Sequence, residues 1–176
     1  MTRRLTLATI SMALVAAVVI LLLTPANTVV GIGTKAPALH AAPLGSPGEP
    51  RRIEDYRGHV VLLNVWATWC SPCREEMPSM QSLHEALQPR GLRVVAVSID
   101  DPGSQHDIRA FVQEQKLTFE ILHDPDLAIM DAYQVTGVPQ TFLIDRAGTI
   151  RFKLYAADWR RQENRRLVEE LMREGF

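Results

Sequence analysis

Cysteine is scarce in this sequence: of 176 residues, only Cys70 and Cys73 carry a thiol. Two are too few for a disulfide scaffold or for an all-cysteine zinc site. Excess charge is missing too, because 19 basic residues stand against 20 acidic ones and the formal charge is -1. That balance excludes a polybasic surface for nucleic acid, and a composition of 47% apolar and 22% charged residues excludes a disordered chain. No internal repeat is present, and the length is too short for two full domains, so one compact core with a short addition is expected. What the two cysteines do have is spacing, since they stand as C-x-x-C.

Long apolar runs are also rare, and the one that exists lies at the amino end. Leu5 to Leu23 is 19 residues without a charge, preceded by Arg3 and Arg4 and followed by Thr24-Pro25-Ala26-Asn27. At about 1.5 Å per residue, a helix of that length nearly spans the roughly 30 Å of bilayer hydrocarbon. A cleaved signal peptide starts in the same way, although Thr24-Pro25-Ala26 is a poor small-x-small cleavage pattern. An uncleaved single-pass anchor over residues 1–27 is the expectation, with a linker over 28–32. No cysteine lies near the end of the run, which excludes lipid attachment there. Arg3 and Arg4 place the amino terminus in the cytoplasm and the rest of the chain outside it, in the periplasm or its equivalent beyond the cell (inner) membrane. Without them the 19 basic residues become 17 against 20 acidic, a net -3 for the exported part.

Residues 33–50 are rich in Gly, Pro and Ala without periodicity and read as a loosely structured lead-in around Leu39 to Leu44. Val60 to Trp66 is almost continuously apolar, as a strand buried on both faces requires. From Ser71 to Leu87, Met77, Met80, Leu83 and Leu87 recur at helical spacing, with Pro72 in the tolerant first turn and Pro78 expected to bend the helix. Val94 to Ile99 reads as a second buried strand, with a helix marked by Ile108, Phe111 and Val112 after it. Leu117 to Leu122 reads as a third strand, and Leu127, Met130 and Tyr133 as a short helix. Thr141 to Asp145 and Ile150 to Leu154 form a hairpin about Arg146-Ala147-Gly148-Thr149, and Gln162 to Arg173 is a closing helix. The alternation predicts an α/β domain with a central mixed sheet covered by helices.

A strand that hands over to a helix whose first turn holds Cys70-Ser71-Pro72-Cys73 puts one sulfur at the helix amino terminus. Free backbone N–H groups and the helix dipole stabilise a thiolate there, lowering thiol pKa values in such motifs to about 3.5 to 7.5. Cys70 is then the nucleophile, and Cys73, a turn deeper, is placed to resolve a mixed disulfide. Other uses of the pair fit less well. None of the five histidines stands at a zinc-ligand spacing, and a haem attachment site needs His where Arg74 stands. A structural disulfide across two intervening residues would constrain the unfolded chain very little. No cofactor or resident metal is expected, because the pair itself carries the two electrons. Two alternatives stay open: a Cu(I) metallochaperone using both thiolates as soft ligands, and a redoxin-type thiol peroxidase, for which Ala67-Thr68-Trp69-Cys70 lacks the Thr-x-x-Cys spacing.

Val61 to Pro78, containing Trp66-Ala67-Thr68-Trp69-Cys70-Ser71-Pro72-Cys73, together with Gly137 to Gly148, containing Val138-Pro139-Gln140-Thr141-Phe142, resembles the TlpA/ResA group of membrane-tethered, thioredoxin-like thiol-disulfide oxidoreductases. The likeness runs from about Gly33 to the carboxyl end, so it implies a thioredoxin-like domain over 33–176. It also implies an inserted strand-helix pair between Cys73 and Pro139, behind an amino-terminal membrane helix. It makes Pro139 a cis-proline facing the cysteines, where a Val-Pro bond judged by itself could equally be trans. Val138 would offer backbone hydrogen bonds to an extended client segment. Trp66 and Trp69 read as core and site-wall packing, with Trp69 the one of the two to face a client. The implied partners are proteins with disulfides or cysteine pairs, such as apocytochrome c or a copper-site protein of oxidase assembly. A membrane electron donor follows if the chain acts as a reductant. The buried aspartate of thioredoxins is replaced by Asn64, which cannot exchange a proton. Glu76, three residues after Cys73 on the same helix face, matches a glutamate of ResA-like members and is the candidate acid-base group; its other reading is a carboxylate that favours an early helical turn.

Overall fold

The computed structural model describes residues 30–45 and 49–174. Its strands are β1 (Ala42–Pro43), β2 (Val60–Trp66), β3 (Leu92–Ser98), β4 (Glu120–His123), β5 (Gln140–Ile144) and β6 (Ile150–Tyr155). The helices are α1 (Ser71–Leu87), α2 (Gln105–Glu114), α3 (Ala128–Ala132) and α4 (Gln162–Arg173). One sheet runs in the order β1-β4-β3-β2-β5-β6. β2, β3 and β4 are parallel, joined through α1 and α2, while β1, β5 and β6 each run antiparallel to their neighbours. Parallel neighbours need crossover segments, and those helices supply them.

All seven residues of β2 are buried, and Trp66 is fully covered. Both faces of the sheet centre are therefore occupied, which explains the absence of alternation in the strand's sequence. α1 turns Met77, Met80, Leu83 and Leu87 into the core and runs through Pro78 without interruption. β2 and β5 fix the end of the sheet that matters for chemistry. Gln140 is paired with Val65, so the Val138–Pro139 peptide lies at the same end as the turn that follows Trp66.

The lead-in is better ordered than its composition suggests. Gly33 donates to the Ile150 carbonyl, Ala36 donates to Gly148, and Leu39 and Ala41 are each only 1% exposed. Ala42 and Pro43 then pair with His123 and Leu122. The segment serves one sheet edge and then the other, so its contacts are backbone bonds and isolated side chains, and no period of two or 3.6 arises. The third strand also starts later than expected, at Glu120. Lys116 adopts a left-handed conformation after α2, and Leu117 and Phe119 fill the core from a loop before pairing begins. The membrane helix expected over Leu5–Leu23 lies outside the described residues, and among the described residues no helix is long and apolar enough to cross a membrane.

Candidate active site

β2 ends at Trp66, and the chain then makes a tight turn closed by Cys70 N–H donating to the Ala67 carbonyl at 3.2 Å. Cys70 caps α1, and its Sγ accepts the Cys73 N–H at 3.2 Å. The two cysteines are joined in a disulfide with Cα atoms 5.2 Å apart. Cys70 keeps 5% exposure and Cys73 none, so the sulfur nearer the helix terminus is also the one nearer solvent. Trp69, between the turn and the cap, is 68% exposed, while Trp66 packs against Phe111 at 5.3 Å inside the core. The Val138–Pro139 peptide bond is cis, and the exposed Tyr155 hydroxyl donates to the Val138 carbonyl at 3.4 Å.

Glu76 lies on the inner face of α1, only 5% exposed. The Asn64 amide donates to its Oε1 at 2.6 Å and to Thr141 Oγ1 at 2.9 Å. Ala157 N–H donates to Oε2 at 3.1 Å. Burial pushes the Glu76 carboxyl up to about 7, and the two donors, which favour the charged form, restrain that rise. A group balanced there can hold or release a proton near neutral pH, as a general acid or base requires. A depression of about 230 Å³ beside it, lined by Pro72, Glu75, Ala157, Asp158 and Arg160, opens to the surface.

The structure thus brings Glu76 within one helical turn of Cys73, and places Val138 and Pro139 at the same end of the sheet as Trp69 and Cys70. Two contributors give little sign of themselves in the sequence. Ala157 acts through its backbone, and the segment Ala156-Ala157-Asp158-Trp159 also sends the Trp159 N–H to Ser79 Oγ, which in turn donates to the Glu76 carbonyl. Thr141 looks like an ordinary strand residue. Among the described residues no group of three or more His, Cys, Asp or Glu is placed to hold a metal ion.

A disulfide that caps a helix at the end of a mixed α/β sheet, beside a buried carboxyl group able to take a proton, defines a thioredoxin-like thiol-disulfide oxidoreductase. Comparison with known proteins agrees. A model of the AhpC/TSA family matches residues 32–153. The thiol-disulfide oxidoreductase ResA of Geobacillus thermodenitrificans is 38% identical over 125 residues, covering 71% of this chain and 70% of its own. The thioredoxin-like protein YneN of Bacillus subtilis is 42% identical over 105 residues, 59% of this chain and 61% of its own. Among solved structures, one from Chlorobium tepidum described as a candidate thiol:disulfide interchange protein DsbE superposes with a TM-score of 0.69 at 30% identity, covering 82% of this chain and 96% of its own. The chain belongs to the AhpC/TSA family, and the likeness to ResA drawn from the two sequence blocks is upheld.

Proposed function

We propose that this chain is a membrane-tethered reductant of disulfides in protein clients outside the cytoplasm. Cys70 attacks, Cys73 resolves, and Glu76 handles the proton. The observation that carries the reading is the asymmetry of the pair, with Cys70 at the helix cap and in touch with solvent and Cys73 fully buried. In the reduced enzyme the Cys70 thiolate attacks a client sulfur, forming a mixed disulfide and releasing the first client thiolate. Cys73 then gives its proton to the Glu76 carboxylate and attacks Cys70 Sγ. The second client thiolate leaves, and the Cys70–Cys73 disulfide seen here is restored. Two electrons pass to the client, and a dithiol donor in the membrane must return them. Val138, beside the cis-proline, and the exposed Trp69 would hold an extended client segment. The clients implied by the resemblance to the TlpA/ResA group are of the cytochrome c or copper-oxidase maturation type.

The test is trapping. Cys73→Ser is expected to accumulate a client bound through Cys70, and Cys70→Ser to bind and reduce nothing. Preferential alkylation of Cys73 in the reduced wild type would reverse the assignment. Stoichiometric Cu(I) binding without reductase activity would favour the metallochaperone, and turnover of a hydroperoxide the peroxidase.

A further inference from the structure

Beyond β3 lies a buried carboxyl group that the disulfide chemistry above does not use. Asp100 is 2% exposed. Thr68 reaches it twice, through its backbone N–H at 3.0 Å from Oδ2 and its hydroxyl at 2.6 Å from Oδ1, and Ser98 Oγ donates to Oδ2 at 2.6 Å. The Asp100 N–H donates to Ser98 Oγ at 3.1 Å, and its carbonyl accepts His123 Nε2 at 2.9 Å. A carboxylate is costly to bury without donors, so a saturated set is expected. The informative point is where the donors come from.

Thr68 is the second residue of the turn that delivers Cys70 to the start of α1. On one side of it the Trp66 carbonyl accepts the Ile99 N–H at 2.9 Å, and on the other the Cys70 N–H bonds Ala67. Between those points Thr68 is gripped from the core side by Asp100, and on its outer side Arg74 Nη1 makes only a long contact of 3.5 Å with its carbonyl. We infer that Asp100 is a positioning residue for the nucleophile, clamping Thr68 so that the turn holds the Cys70 sulfur at the amino end of α1. The inference rests on Cys70 being the attacking thiol, as proposed above. Helix-terminus stabilisation of a thiolate fades within one turn, and displacement of a reacting atom by about 1 Å can cost about a hundredfold in rate. A clamp two residues upstream therefore reaches the chemistry without touching the client.

The experiment uses the full chain in detergent, reduced, with three variants. Alkylation of the wild type first identifies the reactive thiol; reaction at Cys73 would defeat the parent reading before Asp100 is tested. The Cys70 alkylation rate at pH 7 and its thiolate titration by ultraviolet absorbance are then compared. Thr68→Val keeps the carboxyl group and removes a donor, Asp100→Asn replaces one of the two acceptor oxygens that hold Thr68 with an NH2 donor and removes the charge, and Thr68→Ser keeps the hydroxyl. Thr68→Val and Asp100→Asn are expected to react about tenfold more slowly, with the thiolate titration moved to higher pH, and Thr68→Ser to stay within about twofold of wild type. Unchanged Cys70 kinetics beside a lowered Tm would make Asp100 a strut for stability alone. Faster reaction in Asp100→Asn would mean that the thiol senses its charge and not its hold on Thr68. Either result overturns the inference, and should Asp100→Asn not fold, Thr68→Val against Thr68→Ser decides it.

Discussion

The side-chain amide of Asn64 donates to Glu76 Oε1 at 2.6 Å, tying the central strand β2 to α1 one turn beyond Cys73. Asparagine does not titrate, so it orients the carboxyl group without competing for its proton. Glu76 is thus free to act as the proposed acceptor of the Cys73 proton. Glu76→Gln keeps the volume and removes the base, and is expected to slow resolution of the mixed disulfide by about tenfold to a hundredfold. In the wild type the rate should rise with pH through about 7, where Glu76 becomes a carboxylate, and this inflection should vanish in the variant. Glu75→Gln, on the exposed side of the helix, should behave as wild type. Quenched single-turnover reactions from about pH 5 to 9 would check all three; an unchanged profile in Glu76→Gln would remove the residue from the mechanism.

The same carboxyl group links stability to pH. Its value in the folded, oxidised protein is about 7, against about 4.3 in an unfolded chain, so between these values the folded state holds a proton that the unfolded state releases. This contribution is complete below about pH 4.3 and is lost as the pH rises through about 7. A displacement of that size corresponds to about 4 kcal/mol at most. Urea unfolding of the oxidised protein from about pH 4 to 8 should show wild type losing stability relative to Glu76→Gln across the window. A constant difference between the two would contradict the raised value.

Much of the site was legible because its signals are local. The C-x-x-C spacing, the apolar run of β2 and the helical recurrence of Met77 to Leu87 are patterns within a few residues of one another. Glu76 was legible by its three-residue distance from Cys73. Of its partners, Asn64 was legible as the replacement for the thioredoxin aspartate and Ala157 was not. Ala157 stands 81 positions away and offers only a backbone N–H, which any residue but proline could supply. Asp100 follows the apolar run of β3, and nothing within a few residues of it points to the turn at Thr68, whose N–H and hydroxyl bond it. The lead-in hid for a related reason, since a segment that bonds sheet edges through its backbone needs no side-chain period.

Ala156 tests the remote half of the Glu76 site. Its φ of 47° lies in the left-handed region, which costs a residue with a Cβ about 1 kcal/mol and glycine nothing. The conformation is what aims the next N–H, that of Ala157, at Glu76 Oε2. Ala156→Gly is expected to be neutral or to gain up to about 1 kcal/mol, with the pH profile of resolution unchanged. Ala156→Val should lose more than about 1 kcal/mol. By loosening a hydrogen bond that lowers the Glu76 value, it should also move the inflection to higher pH. Chemical denaturation and the kinetic profile measure the two effects separately, and a destabilised Ala156→Val with an unmoved inflection would detach the turn from the proton chemistry.

The remaining prediction concerns where the reaction takes place. Leu5 to Leu23 carries no charge over 19 residues, about 28 Å as a helix, which matches the hydrocarbon thickness closely enough to span it with little tilt. Arg3 and Arg4 precede the run and no basic residue follows until Lys35, so the asymmetry is expected to retain the amino terminus in the cytoplasm. A chain held this way should sediment with membranes, resist extraction by alkaline carbonate and dissolve in detergent. Protease added outside spheroplasts should degrade the carboxyl end. Moving Arg3 and Arg4 to the far side of the run should invert or abolish insertion and strand the cysteine pair in the cytoplasm. A soluble species starting near Asn27 would show instead that the run is a signal peptide, leaving export intact and removing the tether.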